Sequence, residues 1–567
     1  SHTLPDGKVL TYRFQEKLEQ AYKEVFIALP MPENVIGNNT LNIKIDPDNI
    51  FNELPQPFAE NNNELKINGT TGIIVGIFNN EVTPAYPQDY GIVGSSPITL
   101  KAFTSNALGN PDNYIFELDT TALFNSAFLQ KINTKQRGGL ITWSPTFNAQ
   151  AGTVYYWRVA ADTVGTGRPV LWSQRSFIYL PGQGPGWNQS HGYQYAENKP
   201  NQTLNFNLDA NQWQLATQPT SFVASSINSI LDPSEYSKVL INGERYTRNN
   251  GNFQSEFILT IWDPKVGLVR NPVGGRDGAT NVFSIPAPGY YFPMDKNTSE
   301  ERGNLMRFMN EGIQDGQYVI VINHIQPGAS YFPEFWAMDS LSLGKNLYQV
   351  FEQNGATLIR NLLGDNYSYP YVFVYQKGKK IIDEGISSNG LEIRSAFELP
   401  LIRQSGMHES PLIGPASSWE KFEWLHQDGR NKEDNEISIQ GLNGDHLDTL
   451  YRGRATNFDL TKVNASTYPY LKLNWLANDS LRTGSIHMDY WRIHFKRWAD
   501  LAIASNDEFE FFKDSIDQGD PSRLKFTIQN IGDQPIDSSM VIYTITDEQN
   551  RSHKDTTYNT LLSPGAK

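Results

Sequence analysis

The sequence predicts a mostly β, multi-domain protein that contains one α/β domain among several β-sandwiches. Aromatic residues make up 12% of the chain, and 44 glycines and 32 prolines supply turns between short strands. The length of 567 residues predicts several domains. Because single cores stop growing near about 250 to 300 residues, we expect roughly three to five domains.

Short alternating strands organise the first part of the chain. Residues 1–83 predict an immunoglobulin-like β-sandwich that is truncated at its N-terminus. Residues 84–181 predict a fibronectin- or immunoglobulin-like sandwich that contains the aromatic strand Val154–Val159, with Trp157 buried. The Gly- and Pro-rich start of residues 182–214 predicts a linker, followed by lead-in strands.

Residues 215–405 differ because helical and strand patterns alternate there. Thr298 and Glu301 have the spacing of a capping box, and apolar residues follow at helical intervals. The apolar runs Tyr318–Ile322 and Tyr371–Tyr375 predict two buried strands, each after a helix. This region therefore predicts one α/β domain.

Two further modules complete the prediction. Residues 406–497 predict a jelly-roll-like β-sandwich, in which Tyr490–Ile493 repeats the earlier Tyr-Trp-Arg motif. Residues 498–567 predict an immunoglobulin-like module that stops before an expected closing strand. We therefore expect the chain to be a piece of a longer polypeptide.

Composition also restricts the function. A net charge of -14 argues against nucleic acid as a partner, because nucleic acid selects basic surfaces. The sequence has no apolar run near 18 residues, so no transmembrane segment is predicted. It has no cysteine, which excludes disulfides, Cys-ligated metals and a thiol nucleophile within the chain.

Two oxygen-rich turns are candidate calcium sites. Asp46 and Asp48 lie in one turn, and Asp428 and Asp434 precede the strand Ile437–Ile439. Calcium takes about six to eight oxygen ligands, which such turns can supply. In the alternative interpretation, these are solvated turn residues whose side chains bond their own backbone. No other cofactor is expected.

An aromatic segment after the strand Tyr318–Ile322 is a candidate glycan site, because loops that follow strands in α/β sheets collect ligands. Its aromatic rings would stack on sugars, and its carboxylates would accept hydrogen bonds from sugar hydroxyls. The candidate residues are Tyr331, Phe335, Trp336, Glu334 and Asp339. In the alternative interpretation, Trp336 packs in the domain core.

Patterns typical of catalysis are missing from the sequence. The histidines lack the paired spacing of a zinc site, and no Gly-x-Ser-x-Gly elbow supports a serine nucleophile. We therefore predict no catalytic residue. A glycoside-acting enzyme would need two facing carboxylates in an aromatic cleft, and the sequence does not define their separation.

Ordered motifs within residues 215–405 resemble the interleukin-like EMT inducer (ILEI) domain. The similar segments are Val239–Gly243, the strand that ends in Asp263–Pro264, and Asp315–Val321. Some ILEI-like domains bind glycans. The resemblance therefore implies a binding domain and not a catalyst.

A longer series of motifs resembles the region C-terminal to the peptidase domain in gingipain-type proteins of Bacteroidota, the PorU-like sortases of the type IX secretion system. The series comprises Asp119–Ser126, Val154–Val159, Phe177–Gly182, Gly186–His191, Ile413–Trp419 and Tyr468–Leu473. Phe526–Gly532 is similar to CARDB-type cell-adhesion modules. The family's Cys/His peptidase domain has no counterpart here, since the chain lacks cysteine.

This resemblance implies an extracellular, non-catalytic region at the bacterial surface or outer membrane. It would position the peptidase, or bind secreted cargo, outer-membrane secretion components or a surface glycan. The parent protein would be a cysteine peptidase or transpeptidase. The alternative is a surface adhesin or carbohydrate-binding protein without enzymatic activity.

Overall fold

The computed structural model shows a mostly β, multi-domain protein, which confirms the predicted fold class. It describes residues 1–15, 34–48, 63–67, 70–77, 81–107, 109–165, 169–197, 202–232, 235–247, 255–280, 285–294, 298–326, 333–363, 368–387, 389–427, 435–479, 486–511, 523–546 and 551–567. None of the helices in these ranges has the length and apolar character needed to cross a membrane.

The N-terminal strands form a small antiparallel sheet with an adjoining hairpin. They are β1 (His2–Thr3), β2 (Val9–Leu10), β3 (Gly37–Leu41), the hairpin strands β4 (Lys66–Ile67) and β5 (Thr70–Thr71), and β6 (Ile73–Ile77). The four-stranded sheet has the order β2-β1-β3-β6. A second sheet facing it, which a complete sandwich requires, is not found among the described residues of this region.

A complete sandwich follows. Its strands are β7 (Val82–Tyr86), β8 (Gly91–Val93), β9 (Leu100–Thr104), β10 (Asp112–Asp119), β11 (Gln130–Gln136), β12 (Leu140–Trp143), β13 (Val154–Ala161) and β14 (Ser173–Tyr179). The three-stranded sheet β12-β9-β7 faces a larger sheet that begins β11-β10-β13-β14-β8. Trp157 of β13 is fully buried between the two sheets with Phe116 and Leu100.

A short connecting region leads to the α/β domain. It contains β15 (Gly186–Gln189), α1 (Gly192–Ala196) and the hairpin strands β16 (Leu204–Asn207) and β17 (Gln212–Leu215). The side chains of β15 are all buried. This part of the expected linker is therefore an integral strand.

The α/β domain begins with strands and then alternates helix with strand, as the sequence predicts. Its elements are β18 (Thr217–Asn228), β19 (Lys238–Ile241), β20 (Glu244–Arg245), β21 (Glu256–Asp263), β22 (Gly267–Val269), β23 (Tyr290–Pro293), α2 (Ser299–Arg307) with the π-helical turn Phe308–Gly312, β24 (Tyr318–Ile325), the 3-10 turn Pro333–Met338, α3 (Asp339–Leu343), α4 (Leu347–Gln353), the 3-10 turn Ile359–Asn361, β25 (Tyr371–Gln376), β26 (Lys380–Ile386) and β27 (Glu392–Ile402). The predicted capping box is confirmed, since the Glu301 amide donates to Thr298 Oγ1 at 3.2 Å.

Alternate residues of β24 enter two different cores. Val319 and Val321 pack with Leu305 of α2 and other residues of the helical side. Ile320 and Ile322 point to the opposite face and pack in a second core with Phe222 of β18. Helices thus pack on one face of β24, and side chains of β18, β19 and β27 pack with the other face.

A second sandwich follows the α/β domain. Its strands are β28 (Ser405–Glu409), β29 (Ala416–Gln427), β30 (Glu436–Asn443), β31 (His446–Gly453), β32 (Asn457–Asp459), β33 (Tyr470–Asn478) and β34 (His487–Arg497). The sheet β28-β33-β30-β31 packs against β34 and β29. Their shared core is built around six buried tryptophans, namely Trp187, Trp213, Trp419, Trp424, Trp475 and Trp491.

The last module contacts the first complete sandwich. Its strands are β35 (Leu501–Ile503), β36 (Phe509–Phe511), β37 (Leu524–Phe526), β38 (Ile528–Asn530), β39 (Ser539–Thr546) and β40 (Ser552–Asn559). Ser505 Oγ donates to the Ala107 carbonyl at 2.7 Å, and the Arg137 amide donates to Asn506 Oδ1 at 2.6 Å. Residues distant in the chain are therefore neighbours at this contact.

The two sandwiches share one sheet, which the predicted domain boundaries did not anticipate. Strands run across it in the order β11-β10-β13-β14-β8-β15-β34-β29-β32. Strand β15 pairs along its full length with β34 and contacts β8 on its other side. Residues 84–181 and 406–497 are thus joined through β15 and not separated by a free connector.

Candidate functional site

A pocket of about 390 Å³ lies where the two sandwiches meet, and we call it the junction pocket. One side is apolar and comes from the first sandwich, through Val154, Ile178 and Leu180. The other side carries polar groups from the chain around β15 and β34. The volume is at the small end of the range of about 300 to 1,000 Å³ that is typical of ligand sites.

Strand alternation decides which residues of β34 face the pocket. Trp491 and Ile493 point into the tryptophan-rich core. Tyr490 and Arg492 therefore lie on the opposite face of the sheet, where both line the pocket. Arg492 is directly opposite Asn188 of β15 in the antiparallel register.

Arg492 is the charged group of the pocket. Its guanidinium carbon lies 3.6 Å from the centre of the Tyr490 ring, a stacked arrangement that holds the guanidinium plane. Its Nε atom is buried and has no hydrogen-bond partner among the described residues. Burial lowers the pKa of this side chain from its usual value, while Tyr490 and Glu423 act in the opposite direction. Arginine nevertheless stays protonated in proteins, so the pocket carries a positive charge.

His191 and Ser190 supply further polar groups. The His191 ring binds the Tyr156 hydroxyl through Nδ1 at 2.9 Å and stacks on Tyr193. Burial lowers the pKa of His191, so its imidazole is neutral at pH 7. Ser190 Oγ accepts a hydrogen bond from Asn188 Nδ2 at 2.9 Å, which leaves its own hydroxyl hydrogen to donate elsewhere.

A separate acidic network lies near Tyr156. Asp89 accepts hydrogen bonds from the Ser176 amide at 3.0 Å and from the Tyr90 amide at 3.1 Å. Tyr90 donates its hydroxyl to Glu197 at 2.7 Å. Burial raises the pKa of Asp89 to about 6, against the effect of the Ser176 amide. These carboxylates are bound by the protein's own donors and are not among the residues that line the pocket.

The predicted glycan residues do not form one exposed site. Tyr331 lies outside the described residues, as does the side chain of Glu334. Phe335 is exposed, whereas Trp336 is fully buried, with its ring centre 5.1 Å from that of Tyr348. A buried ring offers no face to a sugar, so Trp336 is a core residue and not the predicted stacking platform.

Asp339 also differs from the prediction. It is almost fully buried and forms a bidentate ion pair with Arg302 of α2, with 2.7 Å between Oδ1 and the nearer terminal nitrogen. Its oxygens bind a protein cation and are turned away from solvent. Asp339 therefore connects α3 to α2 and does not receive sugar hydroxyls.

Of the two predicted calcium turns, only the one that contains Asp46 and Asp48 lies within the described residues. Asp48 forms an exposed ion pair with Arg13 at 2.7 Å, so a cationic side chain already holds its carboxylate. Asp46 is in the same turn with a left-handed φ of 44°. Asp428 and Asp434 lie outside the described residues. No group of three or more potential metal ligands occurs within the part of the chain that the structure describes.

Sequence reasoning did not select the pocket residues as a site. Gly186–His191 carries part of the family resemblance, and Tyr490–Ile493 repeats the Tyr-Trp-Arg motif, but neither motif indicates a ligand by itself. The sheet alone brings Asn188 and Arg492 together. Together, the fold and the pocket define a modular β protein with a ligand-sized site at a sandwich junction.

Comparisons with known proteins leave the family undetermined. No protein-family model matches the chain, and no curated protein matches it. A solved α-L-rhamnosidase from Dictyoglumus thermophilum is similar with 8% identity and a TM-score of 0.15, over 77% of this chain and 50% of that one. The chain thus spans about half the length of that structure, and a similarity at this level carries no functional argument.

Proposed function

We propose that this chain is a non-catalytic accessory region of a gingipain-like, cell-surface sortase of the type IX secretion system. Its role is to hold secreted cargo in a fixed place for the peptidase domain of the parent protein. The proposal starts from the family resemblance of the ordered motifs. The structural observation that supports it is the sheet shared by two sandwiches, with a pocket at their junction.

A shared sheet suits a positioning role. Bending the chain at β15 would break the backbone hydrogen bonds that join this strand to β34. Phe495 also donates its amide to the Pro185 carbonyl at 3.3 Å, and Gly182 donates to the Gly94 carbonyl at 2.9 Å. A ligand bound at the junction would therefore keep its orientation relative to both sandwiches.

The chemistry is assigned to another part of the parent protein. Cysteine peptidases and transpeptidases use a thiolate nucleophile, and this chain contains no cysteine. In the proposal, the present region binds cargo or outer-membrane secretion components at the extracellular surface. The peptidase domain then acts on the cargo that is held.

Binding without cleavage is the direct test. The purified chain is immobilised and exposed to a purified secreted cargo protein from the source bacterium. We expect the cargo to be retained at unchanged mass, with no turnover that a thiol-directed inhibitor blocks. Failure to retain cargo, or cleavage of cargo by the chain alone, contradicts the proposal.

Two glycine variants test whether the junction matters. A Cβ at Gly186 would lie 2.4 Å from the Ile493 carbonyl oxygen, whereas a Cβ at Gly184 would meet nothing closer than 3.9 Å. Gly186→Val should therefore disturb the pairing of β15 and weaken cargo retention. Gly184→Val is the matched control and should behave like the wild type. Equal retention by a Gly186→Val protein whose junction has become protease-sensitive would contradict a positioning role.

A further inference from the structure

We propose that the junction pocket binds the C-terminal carboxylate of a peptide chain, with the last side chain against the apolar wall. This inference rests on the proposed function in one respect, since it names the part of the cargo that the site would hold. It depends on the pocket's own chemistry for everything else.

The carboxylate is matched by Arg492. A guanidinium presents several N–H donors in a planar fork that fits the two oxygens of a carboxylate. Stacking on Tyr490 holds that fork in place, so little conformational freedom is lost when a ligand binds. The buried Nε atom of Arg492 has no hydrogen-bond partner among the described residues. An anion would supply the missing partner.

One acidic residue of the same sheet, Glu423, attracts Arg492 but forms no described ion pair with it. Glu423 is opposite Arg492 in the pairing of β29 with β34. Its carboxylate is instead bound by Lys421 at 2.7 Å and lies 3.3 Å from His494 Nε2. No described hydrogen bond or ion pair to Glu423 therefore competes with a ligand for the guanidinium, although the Glu423 charge raises the pKa of Arg492.

The apolar wall favours a peptide over a sugar acid. Val154 and Ile178 are buried, and Leu180 is half-buried beside them, so an aliphatic side chain would find apolar contacts. A sugar ring prefers the open face of an aromatic residue. Here the Tyr490 ring is covered by Arg492, and the His191 ring is stacked on Tyr193.

Ser190 would complete the site next to Arg492. Its hydroxyl hydrogen is free to donate because its oxygen accepts from Asn188. Ser190 and Arg492 both line the pocket, so a ligand carboxylate there would have two donors available. A neutral carboxamide in the same place would present its N–H₂ group to donors and lose one acceptor.

Paired peptides test the proposal without any change to the protein. N-acetyl-Ala-Val with a free carboxylate and the same dipeptide as a C-terminal carboxamide are titrated into the intact chain by calorimetry. We expect the free acid to bind and the carboxamide to bind roughly 10- to 100-fold more weakly, as expected for loss of a hydrogen-bonded charge. Equal affinities, or no binding of the free acid, overturn the proposal.

Variants then locate the binding. Arg492→Gln should weaken binding of the free-acid dipeptide by a similar factor. Arg492→Lys keeps the charge but not the planar fork of donors, so its affinity should lie between those of Arg492→Gln and the wild type. Arg452→Gln removes the same charge from an exposed ion pair in the same sandwich and should bind like the wild type. Melting temperatures show whether each variant is folded. Unchanged binding by folded Arg492→Gln rejects the pocket as the site.

Glucuronate provides the contrasting ligand. If it binds more tightly than the free-acid dipeptide, the peptide assignment is overturned in favour of an acidic sugar. The cargo experiment remains separate from this one. If cargo is retained equally well after its C-terminus has been amidated, the carboxylate inference is rejected and the accessory role is left intact. If the dipeptide binds but cargo is not retained, the accessory role is rejected and the carboxylate inference is left intact.

Discussion

Gln189 and Trp491 are 302 positions apart in the chain, yet the Trp491 indole N–H donates to Gln189 Oε1 at 2.8 Å in the core beneath the junction pocket. Both side chains are fully buried. Gln189 also donates through Nε2 to the Gln194 carbonyl at 2.9 Å, so one side chain connects β15, β34 and the helix α1. The rigidity of the junction depends on such polar contacts as well as on the sheet.

Gln189→Leu should destabilise the protein by about 1 to 3 kcal/mol, because it leaves the buried Trp491 N–H without an acceptor. Urea denaturation measures the loss. The double variant Gln189→Leu, Trp491→Phe should cost less than the sum of the single changes, since it removes both partners. Strictly additive costs would show that the hydrogen bond contributes little.

Trp336→Ala should lower the free energy of unfolding by about 3 to 5 kcal/mol, because it empties a fully buried site in the core of the α/β domain. Phe335→Ala, at the neighbouring position, is the matched control variant. Its ring is 42% exposed, so we expect a change within about 0.5 kcal/mol in the same denaturation experiment. A Trp336→Ala protein with unchanged melting temperature and lost glycan binding would restore the sequence-based interpretation of this residue.

Asp339→Ala should cost about 3 to 5 kcal/mol, because it removes the carboxylate that forms a bidentate ion pair with the buried Arg302 guanidinium. The exposed pair of Arg360 and Glu352 provides the comparison, and Glu352→Ala should cost less than about 1 kcal/mol. Thermal unfolding of both variants distinguishes the two cases. If both variants lose a similarly small free energy of unfolding, solvent reaches Arg302.

His408 should make the protein sensitive to acid. Burial lowers the pKa of His408 from 6.5 to about 3, and its Nδ1 lies 3.2 Å from the Leu204 carbonyl. The unfolded chain therefore takes up a proton between these pH values before the folded chain does, so stability is present above pH 6.5 and is lost as the pH falls. The loss from this group should reach roughly 3 kcal/mol between pH 7 and pH 4.

Histidine variants separate this contribution from general acid denaturation. His408→Gln should lose less stability than wild type between pH 7 and pH 4 when urea midpoints are compared. His446→Gln, at an exposed position in β31, should follow the wild-type pH profile. Parallel pH profiles for His408→Gln and wild type would assign the acid sensitivity to other groups.

The sequence by itself determined the features that depend on neighbouring residues. Turn-rich composition predicted the mostly β class, and the spacing of Thr298 and Glu301 predicted the start of α2. The apolar runs of β24 and β25 predicted buried strands because every side chain in them is shielded. Such patterns are local, so the chain reveals them without knowledge of its partners.

Only the tertiary structure decided how the modules join and which polar residues meet. Gly186–Gln189 follows a Gly- and Pro-rich segment that is typical of a linker, but pairing with β34 makes it a central strand. Trp336 lies in a sequence segment suited to an exposed loop, but packing against Tyr348 places it in the core. The junction pocket has the same origin, because the pairing of Asn188 with Arg492 comes from a long-range strand register that leaves no periodic signal in the sequence.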